Sequence, residues 1–367
     1  MNNVLKCSNC VGCAACAAIC PKKCIDIKEN KFGFFSAVID SSLCVSCGAC
    51  TKVCQQIKQP ATGWGYKGVY SVQAIDRTIL ANSTSGGIST IISEAMIKKG
   101  WNVYAAEYDY EHNTCEHIII NEISDLERVQ GSKYIQSFMD LTCLKKDKKY
   151  VVFGTPCQIA GIHEVINAKQ YNRNNYLLVE LFCFGTPSYH LYKSYLKDRF
   201  GKNTKFKKVE FRSKKYGWHH YTFKFIDEND NCFYFDQDID RDSFFYLFKR
   251  RACLNNNCYN CQYRQGSGMA DLRIGDYWGD KYKDDKLGVN IVIAYSDMGE
   301  SAIKLIEPNA KVQKEDYEIA TKVQLSKATK KPLLWYAYII LLRNEKLKVA
   351  KSMCVLSQKI ERIIKRG

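Results

Sequence analysis

The chain has 367 residues, 46% apolar and 25% charged, with a formal net charge of +16. This fits an ordinary globular protein, and the length sets a soft expectation of two or three domains. No apolar run reaches the roughly 18 residues of a spanning helix, the nearest being 333–342, and Met1–Lys6 is too polar for a signal peptide, so a cytoplasmic protein is expected.

Thiols stay reduced in that compartment. Nineteen cysteines therefore point to metal rather than disulfides. Ten of them precede residue 55. Cys10, Cys13, Cys16 and Cys20, followed by Pro21, have the spacing Cys-x-x-Cys-x-x-Cys-x-x-x-Cys-Pro of bacterial ferredoxins. The run recurs 34 residues later as Cys44, Cys47, Cys50 and Cys54, with Gln55 in place of proline. Three thiolates on a tight loop cap three irons of one cube, and the fourth reaches the other cube. The expected 4Fe–4S sets are Cys10, Cys13, Cys16 with Cys54, and Cys44, Cys47, Cys50 with Cys20. Shifting the first set to start at Cys7 leaves no fourth cysteine at the repeat's spacing. A zinc ribbon needs only paired Cys-x-x-Cys units and leaves two four-cysteine runs unexplained. Cys7 and Cys24 remain spare. Ile25–Ile27 and Phe34–Ile39 read as the short strands of a duplicated ferredoxin module, residues 1–58.

Residues 59–67 are polar and contain Gly and Pro, which marks a linker. Gly63, Gly65 and Gly68 match G-x-G-x-x-G literally. They precede an expected strand, Val69–Ala74, instead of opening a helix, so they are not a dinucleotide fingerprint.

From 68 onward strands and helices alternate, in two stretches, 68–149 and 150–329. Ile88–Lys99 reads as an amphipathic helix stopped by Gly100. Thr84, Ser85, Gly86 and Gly87 precede it, and small residues at a helix start admit a phosphate. Val103–Tyr108 and Ile118–Ile120 read as strands, and Ser124 with Glu127 as a capping box. Val151–Phe153 and Leu177–Phe182 are buried-strand runs that break into Gly154-Thr155-Pro156-Cys157-Gln158 and Cys183-Phe184-Gly185-Thr186-Pro187-Ser188. Both cysteines thus follow strand ends, where open α/β sheets bind ligands. Cys253, Cys258 and Cys261 lie in a polar turn ahead of Asp271–Ile274 and Gly275-Asp276-Tyr277-Trp278-Gly279.

The order Ser-Gly-Gly (85–87), Gly-Ser-Lys-Tyr-Ile-Gln-Ser (131–137), Gly-Thr-Pro-Cys-Gln (154–158), Cys-Phe-Gly-Thr-Pro-Ser (183–188), Arg-Ser-Lys-Lys-Tyr-Gly-Trp (212–218) and Gly-Asp-Tyr-Trp-Gly (275–279) resembles one family. It is the coenzyme F-420 (deazaflavin) hydrogenase/dehydrogenase beta-subunit family, which includes 7-hydroxymethyl chlorophyll reductase, and the likeness covers about residues 1 to 325. The resemblance implies an FAD-binding core fed by iron–sulfur clusters, an oxidoreductase whose bacterial members are often encoded among polysaccharide genes. It implies flavin contacts at Thr84, Ser85, Gly86, Gly87, Ser132, Lys133, Tyr134 and Gln136. It also implies a third cluster in the core, on Cys157, Cys183, Cys258 and Cys261; in the alternative, the Cys258–Cys261 pair works with Cys253 or is a remnant. The competing expectation is an electron-transfer subunit whose substrate site lies on a partner. Two departures stand out. Phe184 replaces a histidine of the family, and an arginine usual before Asp271 is absent, Gly268 and Met269 occupying that stretch.

The expected partners are a redox protein or a small-molecule reductant. Residues 330–367 carry ten Lys/Arg and two Glu, with Leu347, Ala350, Cys354, Ile360 and Ile364 at helical spacing. This basic helical tail packs one side on the core or docks on an anionic membrane surface, at the inner face, or on an acidic partner. Nucleic acid is not expected, since no binding motif accompanies the charge. The fold class read from the sequence is α/β (α+β overall): a small duplicated ferredoxin module, a mixed α/β flavin core and the tail.

Overall fold

The computed structural model describes residues 3–4, 7, 9–58, 65–202, 204–264, 269–324 and 330–364, the last four by backbone only. The expectations at Gly63, most of the 59–67 linker, Gly268 and the 329/330 boundary lie outside the described residues.

The amino-terminal module is α1 (Ala15–Ile19), β1 (Ile25–Glu29), β2 (Phe35–Ile39) and α2 (Ala49–Val53). β1 and β2 form an antiparallel ribbon, with Ile25 opposite Ile39. Each cysteine loop contains two residues of positive φ at equivalent places: Gly12 (69°) and Ala14 (60°), then Ser46 (53°) and Gly48 (76°). Left-handed residues alternating with others turn successive backbone N–H groups inward, a concavity suited to an anion. The duplication read from the cysteines is therefore also a duplication of backbone conformation.

The core follows as β3 (Gly68–Ala74), α3 (Arg77–Asn82), α4 (Ile88–Ile97), β4 (Asn102–Asp109), β5 (Thr114–Ile120), β6 (Tyr150–Gly154), α5 (Pro156–Ala168), β7 (Tyr176–Leu181), α6 (Tyr189–Phe200), β8 (Phe206–Ser213), β9 (Thr222–Asp227), β10 (Cys232–Asp236), α7 (Ser243–Lys249), β11 (Leu272–Asp276), β12 (Asn290–Ala294), α8 (Asp297–Ile306), β13 (Ala310–Lys314) and α9 (Tyr317–Thr321). The chain ends in α10 (Trp335–Arg343) and α11 (Leu347–Ile364). Gly68 opens β3, which fits a strand, not a phosphate loop, after the glycines.

Eight strands form one mixed sheet in the order β13-β3-β12-β11-β7-β6-β4-β5. β4, β6, β7 and β11 run parallel, and the remaining pairings are antiparallel. Side chains alternate across it as a pleat requires. Val103, Val151, Leu177 and Val179 pack toward α4 and α8. Tyr104, Val152, Leu178 and Tyr176 pack toward α5. Helix α4 buries Ile88, Ile91, Ile92 and Met96, each contributing about 1.5–3 kcal/mol of burial. Thr155 starts α5, where its N–H donates to Gln158 Oε1 at 2.9 Å, and Pro156 follows in the first helical turn.

The box expected at Ser124 and Glu127 does not form. Residues Ile123–Arg128 are a 3-10 turn starting after Glu122, with no side-chain cap, so Ser124 lies inside the turn.

A second sheet, β10-β9-β8, packs with α6, α7, α10 and α11 around an aromatic core that includes Phe211, Phe223, Phe225 and Phe244. In α11, Leu347, Ala350 and Cys354 are buried and Ile360 is exposed, so the tail packs one side on this core. The side chain of Ile364 is outside the described residues. No helix among the described residues is long and apolar enough to cross a membrane.

The ferredoxin module is tied to the core by partly buried polar contacts. Gln136 accepts from Phe35 N–H at 2.8 Å and donates to Val11 O at 3.0 Å. Tyr189 N–H donates to Gly33 O at 2.8 Å, and Ser188 Oγ to Phe32 O at 2.7 Å. These satisfy groups that would be costly to bury alone.

Candidate functional site

Three cavities are lined by cysteine quartets. The first, about 320 Å³, is lined by Cys10, Cys13, Cys16 and Cys54, with Cys7 beside them. The second is lined by Cys20, Cys44, Cys47 and Cys50, with Cys24. The fourth cysteine of each run thus lies at the other run's loop. The third, about 530 Å³, lies at the carboxyl ends of β6, β7 and β11, and its wall includes Cys157, Cys183, Cys258 and Cys261.

Within the first and third quartets buried thiols crowd one another. Burial, then the Cys183 thiol and neighbours Cys157 and Cys261, push the Cys258 pKa well up. Burial and then Cys183 raise Cys157, while burial and then Cys261 push Cys183 up to about 11. Burial followed by Cys10 and Cys54 pushes Cys16 up to about 12. Opposing this, backbone N–H groups point at the sulfurs and favour thiolate. Thr186 N–H lies 3.4 Å from Cys258 Sγ and Gly12 N–H 3.5 Å from Cys10 Sγ. Four sulfurs gathered on one cavity wall, several of them crowded by their neighbours yet receiving N–H donors, suit an iron–sulfur cube, whose irons neutralise thiolates and whose potential such bonds tune. The donor sets fit the group.

The spare thiols are adjacent to these sets. Cys7 hydrogen-bonds Cys54, lowering the Cys54 pKa. Cys24 Sγ lies 3.4 Å from Cys20 Sγ. Cys253 lies apart, fully buried in the aromatic core, where the thiol that bears on it is Cys354.

The third cavity also gathers most of the expected flavin contacts: Thr84, Ser85, Gly87, Ser132, Lys133, Tyr134 and Gln136 line it. Gly86 is not in its wall; it packs against Val72 and Asn290, where a Cβ has no room. Thr84 Oγ1 accepts from Ser132 N–H at 2.8 Å, joining the two lining segments. Gly87 caps α4 at φ 84°. The Ile88 N–H donates to Asn290 Oδ1 at 3.2 Å, leaving later first-turn N–H groups and the positive end of the helix dipole beside the cavity. The Lys133 ammonium donates to Gln130 O at 2.9 Å, and desolvation pushes its pKa down to about 8.

Two wall residues, Tyr134 and Asp276, are held by residues distant in sequence that do not themselves line the cavity. Arg212 is buried and donates to Tyr134 Oη at 3.0 Å and to Trp218 O at 2.8 Å, with Asp276 at 3.4 Å. Trp218 Nε1 donates to Asp276 Oδ1 at 3.0 Å and stacks on Trp278 with centroids 5.2 Å apart. These residues lie in motifs visible in the sequence, but nothing local marks Arg212 and Asp276 as a pair. Phe184, in the histidine position, is flanked by Arg251 at 4.3 Å and Arg264 at 5.5 Å. A phenyl ring there carries no proton.

Residues 147–319 match the family described as the C terminus of the coenzyme F420 hydrogenase/dehydrogenase beta subunit, and residues 9–56 match the 4Fe-4S dicluster domain. Among curated proteins none matches. Among solved structures, a chain in the xenon-derivatized F420-reducing NiFe hydrogenase complex from Methanosarcina barkeri is 17% identical, covering 83% of this chain and 96% of that chain, with a TM-score of 0.49. The protein is thus an iron–sulfur electron-transfer protein in which residues 147–319 are similar to the C terminus of the coenzyme F420 hydrogenase/dehydrogenase beta subunit and residues 9–56 to a 4Fe-4S dicluster domain.

Proposed function

We propose that this protein is an iron–sulfur flavoprotein oxidoreductase in which the two amino-terminal clusters, a third cluster on Cys157, Cys183, Cys258 and Cys261, and FAD form one electron path to a substrate. The observation that carries the reading is the shared wall: those four cysteines line the same cavity as the start of α4 and Lys133.

A flavin supplies the exchange between single electrons and a two-electron hydride. The chain's own residues do the rest. First-turn N–H groups of α4 and the Lys133 ammonium hold an anionic diphosphate. Arg212, fixed by Tyr134, Trp218 and Asp276, stays charged in a buried place. Trp278 and Phe182 cover the cavity wall with flat apolar surface that excludes water. The two cluster regions are bridged by short contacts. Gln55 Nε2 donates to Cys157 O at 3.3 Å, and Tyr263 Oη donates to Gln55 Oε1 at 2.7 Å. A substrate from polysaccharide assembly, the class the family resemblance implies, would enter beside Lys249 and Arg251, which also line the cavity.

The test is to oxidise a substrate-free, anaerobically reduced protein stepwise and follow iron and flavin spectra together. The reading requires flavin to re-oxidise in step with the clusters. Iron signals that respond while no flavin is present favour the electron-transfer subunit, with the substrate site elsewhere.

A further inference from the structure

The two amino-terminal quartets differ in where they sit. The first faces inward: Cys13 abuts α5, and Asn255 Nδ2 donates to Cys10 O at 3.4 Å. The second faces solvent. Cys47 is exposed, and Leu43 (53%), Val45 (59%) and Val38 (46%) stand exposed on the same small module. Val45 lines the second quartet's cavity with Cys47, and Leu43 directly precedes Cys44 in the chain; large apolar side chains exposed beside one another mark an interaction surface more than a scattered few do.

The charge around this tip is lopsided. On this module Lys28 pairs with Asp26, Lys58 with Glu164, and Glu29 with Lys193. Lys22, Lys23 and Lys52 are exposed and appear in no ion pair among the described residues. Lys22 shares the wall of the second quartet with Val45 and Cys47. The Asp40 carboxylate nearby is turned onto Ser42, accepting from its N–H at 2.9 Å and its Oγ at 2.6 Å.

We infer that this tip, with Leu43, Val45 and Cys47 at its centre and Lys22, Lys23 and Lys52 at its rim, is the docking face for an acidic protein that carries one electron at a time. An apolar centre with a rim of one charge sign is how transient redox partners meet: the rim sets the encounter rate and the centre excludes water. The transfer moves a single electron and no proton. The carrier's reduced group is oxidised by one equivalent, and the iron set on Cys20, Cys44, Cys47 and Cys50 is reduced by one. The inference rests on that quartet holding a cluster, as proposed above.

The probe is a reduced, acidic plant-type ferredoxin, mixed anaerobically with the full chain. Its association is followed by calorimetry and its electron transfer by stopped flow. Lys22→Glu/Lys23→Glu/Lys52→Glu is expected to slow transfer at least about tenfold at low salt, the scale of electrostatic steering, and to weaken binding in parallel. The difference should vanish near 0.5 M salt, where screening is within about 4 Å, and reduction by dithionite should be unchanged. If the glutamates cost iron, the triple glutamine variant replaces them, with an intermediate rate expected. Equal rates and affinities for wild type and variant overturn the docking face. So does a loss produced instead by charge reversal at Lys346 and Lys359 of the tail. A wild-type chain that binds ferredoxin but that dithionite does not bleach refutes the cluster assignment while leaving the docking face standing.

Discussion

Gly161 in the middle of α5 lies directly against Cys13 of the ferredoxin module: a Cβ added there would sit 2.7 Å from Cys13 Sγ and 2.9 Å from Cys13 Cβ. A glycine inside a helix costs about 1 kcal/mol relative to alanine. Here it makes room for a close approach between the first quartet and α5, the helix whose first turn carries Cys157.

Gly161→Ala sets those two effects against each other. The helix gains propensity, but the contact with Cys13 has no slack. The expected result is a core that unfolds no earlier, with the cluster signal of the first quartet diminished and that of the second retained. Iron analysis and low-temperature electron paramagnetic resonance check it. A variant with both signals intact would show that the close approach has no consequence for the cluster.

Cys13→Ala probes the same quartet without a clash. It should damage one cluster and leave most of the other, because the second quartet's sulfurs come from Cys20, Cys44, Cys47 and Cys50. Loss of both together would mean the two sets are not separable.

Glu180 and Arg273 face each other across β7 and β11, with Oε1 2.6 Å from Nε and side chains 0% and 2% exposed. Removing one partner leaves a buried charge. Glu180→Ala should therefore cost about 3–5 kcal/mol, read from urea unfolding. A change below about 1 kcal/mol, the range of exposed pairs, would contradict the packing around the third quartet.

Lys133 gives a pH test of the anion site. Its pKa without ligand is pushed down to about 8 by desolvation. A bound diphosphate favours the ammonium and raises that pKa, so binding takes up a proton above pH 8. Affinity should be highest below about pH 8 and fall as pH rises through it, approaching about tenfold per unit. Lys133→Arg, charged throughout, should flatten the profile. Flavin titration of the apoprotein between pH 6 and pH 10 measures both. An identical slope in the arginine variant would place the phosphates elsewhere.

The parts legible in the sequence are those written in short-range patterns. Cysteine spacing pointed to the dicluster module, and apolar periodicity located α4, β6 and β7 to within a few residues. What was hidden is long-range. The pairing of β3 with both β12 and β13 joins segments over 200 residues apart. Arg212 and Asp276 meet only in the folded chain, where they lie 3.4 Å apart at the ends of β8 and β11. Gln136 was expected beside flavin; it lines that cavity, but its amide is spent on Phe35 and Val11 of the ferredoxin module. Local sequence names a polar side chain but not which neighbour will claim its hydrogen bonds. The Ser124 box failed for a related reason: the segment closes as a 3-10 turn whose cap position is Glu122, two residues earlier, where the pattern S-x-x-E has no meaning.

The central claim, that the third quartet and the flavin share one cavity, is tested most directly by the iron and flavin content of the anaerobically purified chain and its Cys258→Ala variant. Three cubes predict about twelve irons and one FAD per wild-type chain, falling to about eight irons in the variant. About eight irons in both proteins, or a chain without flavin, would contradict it.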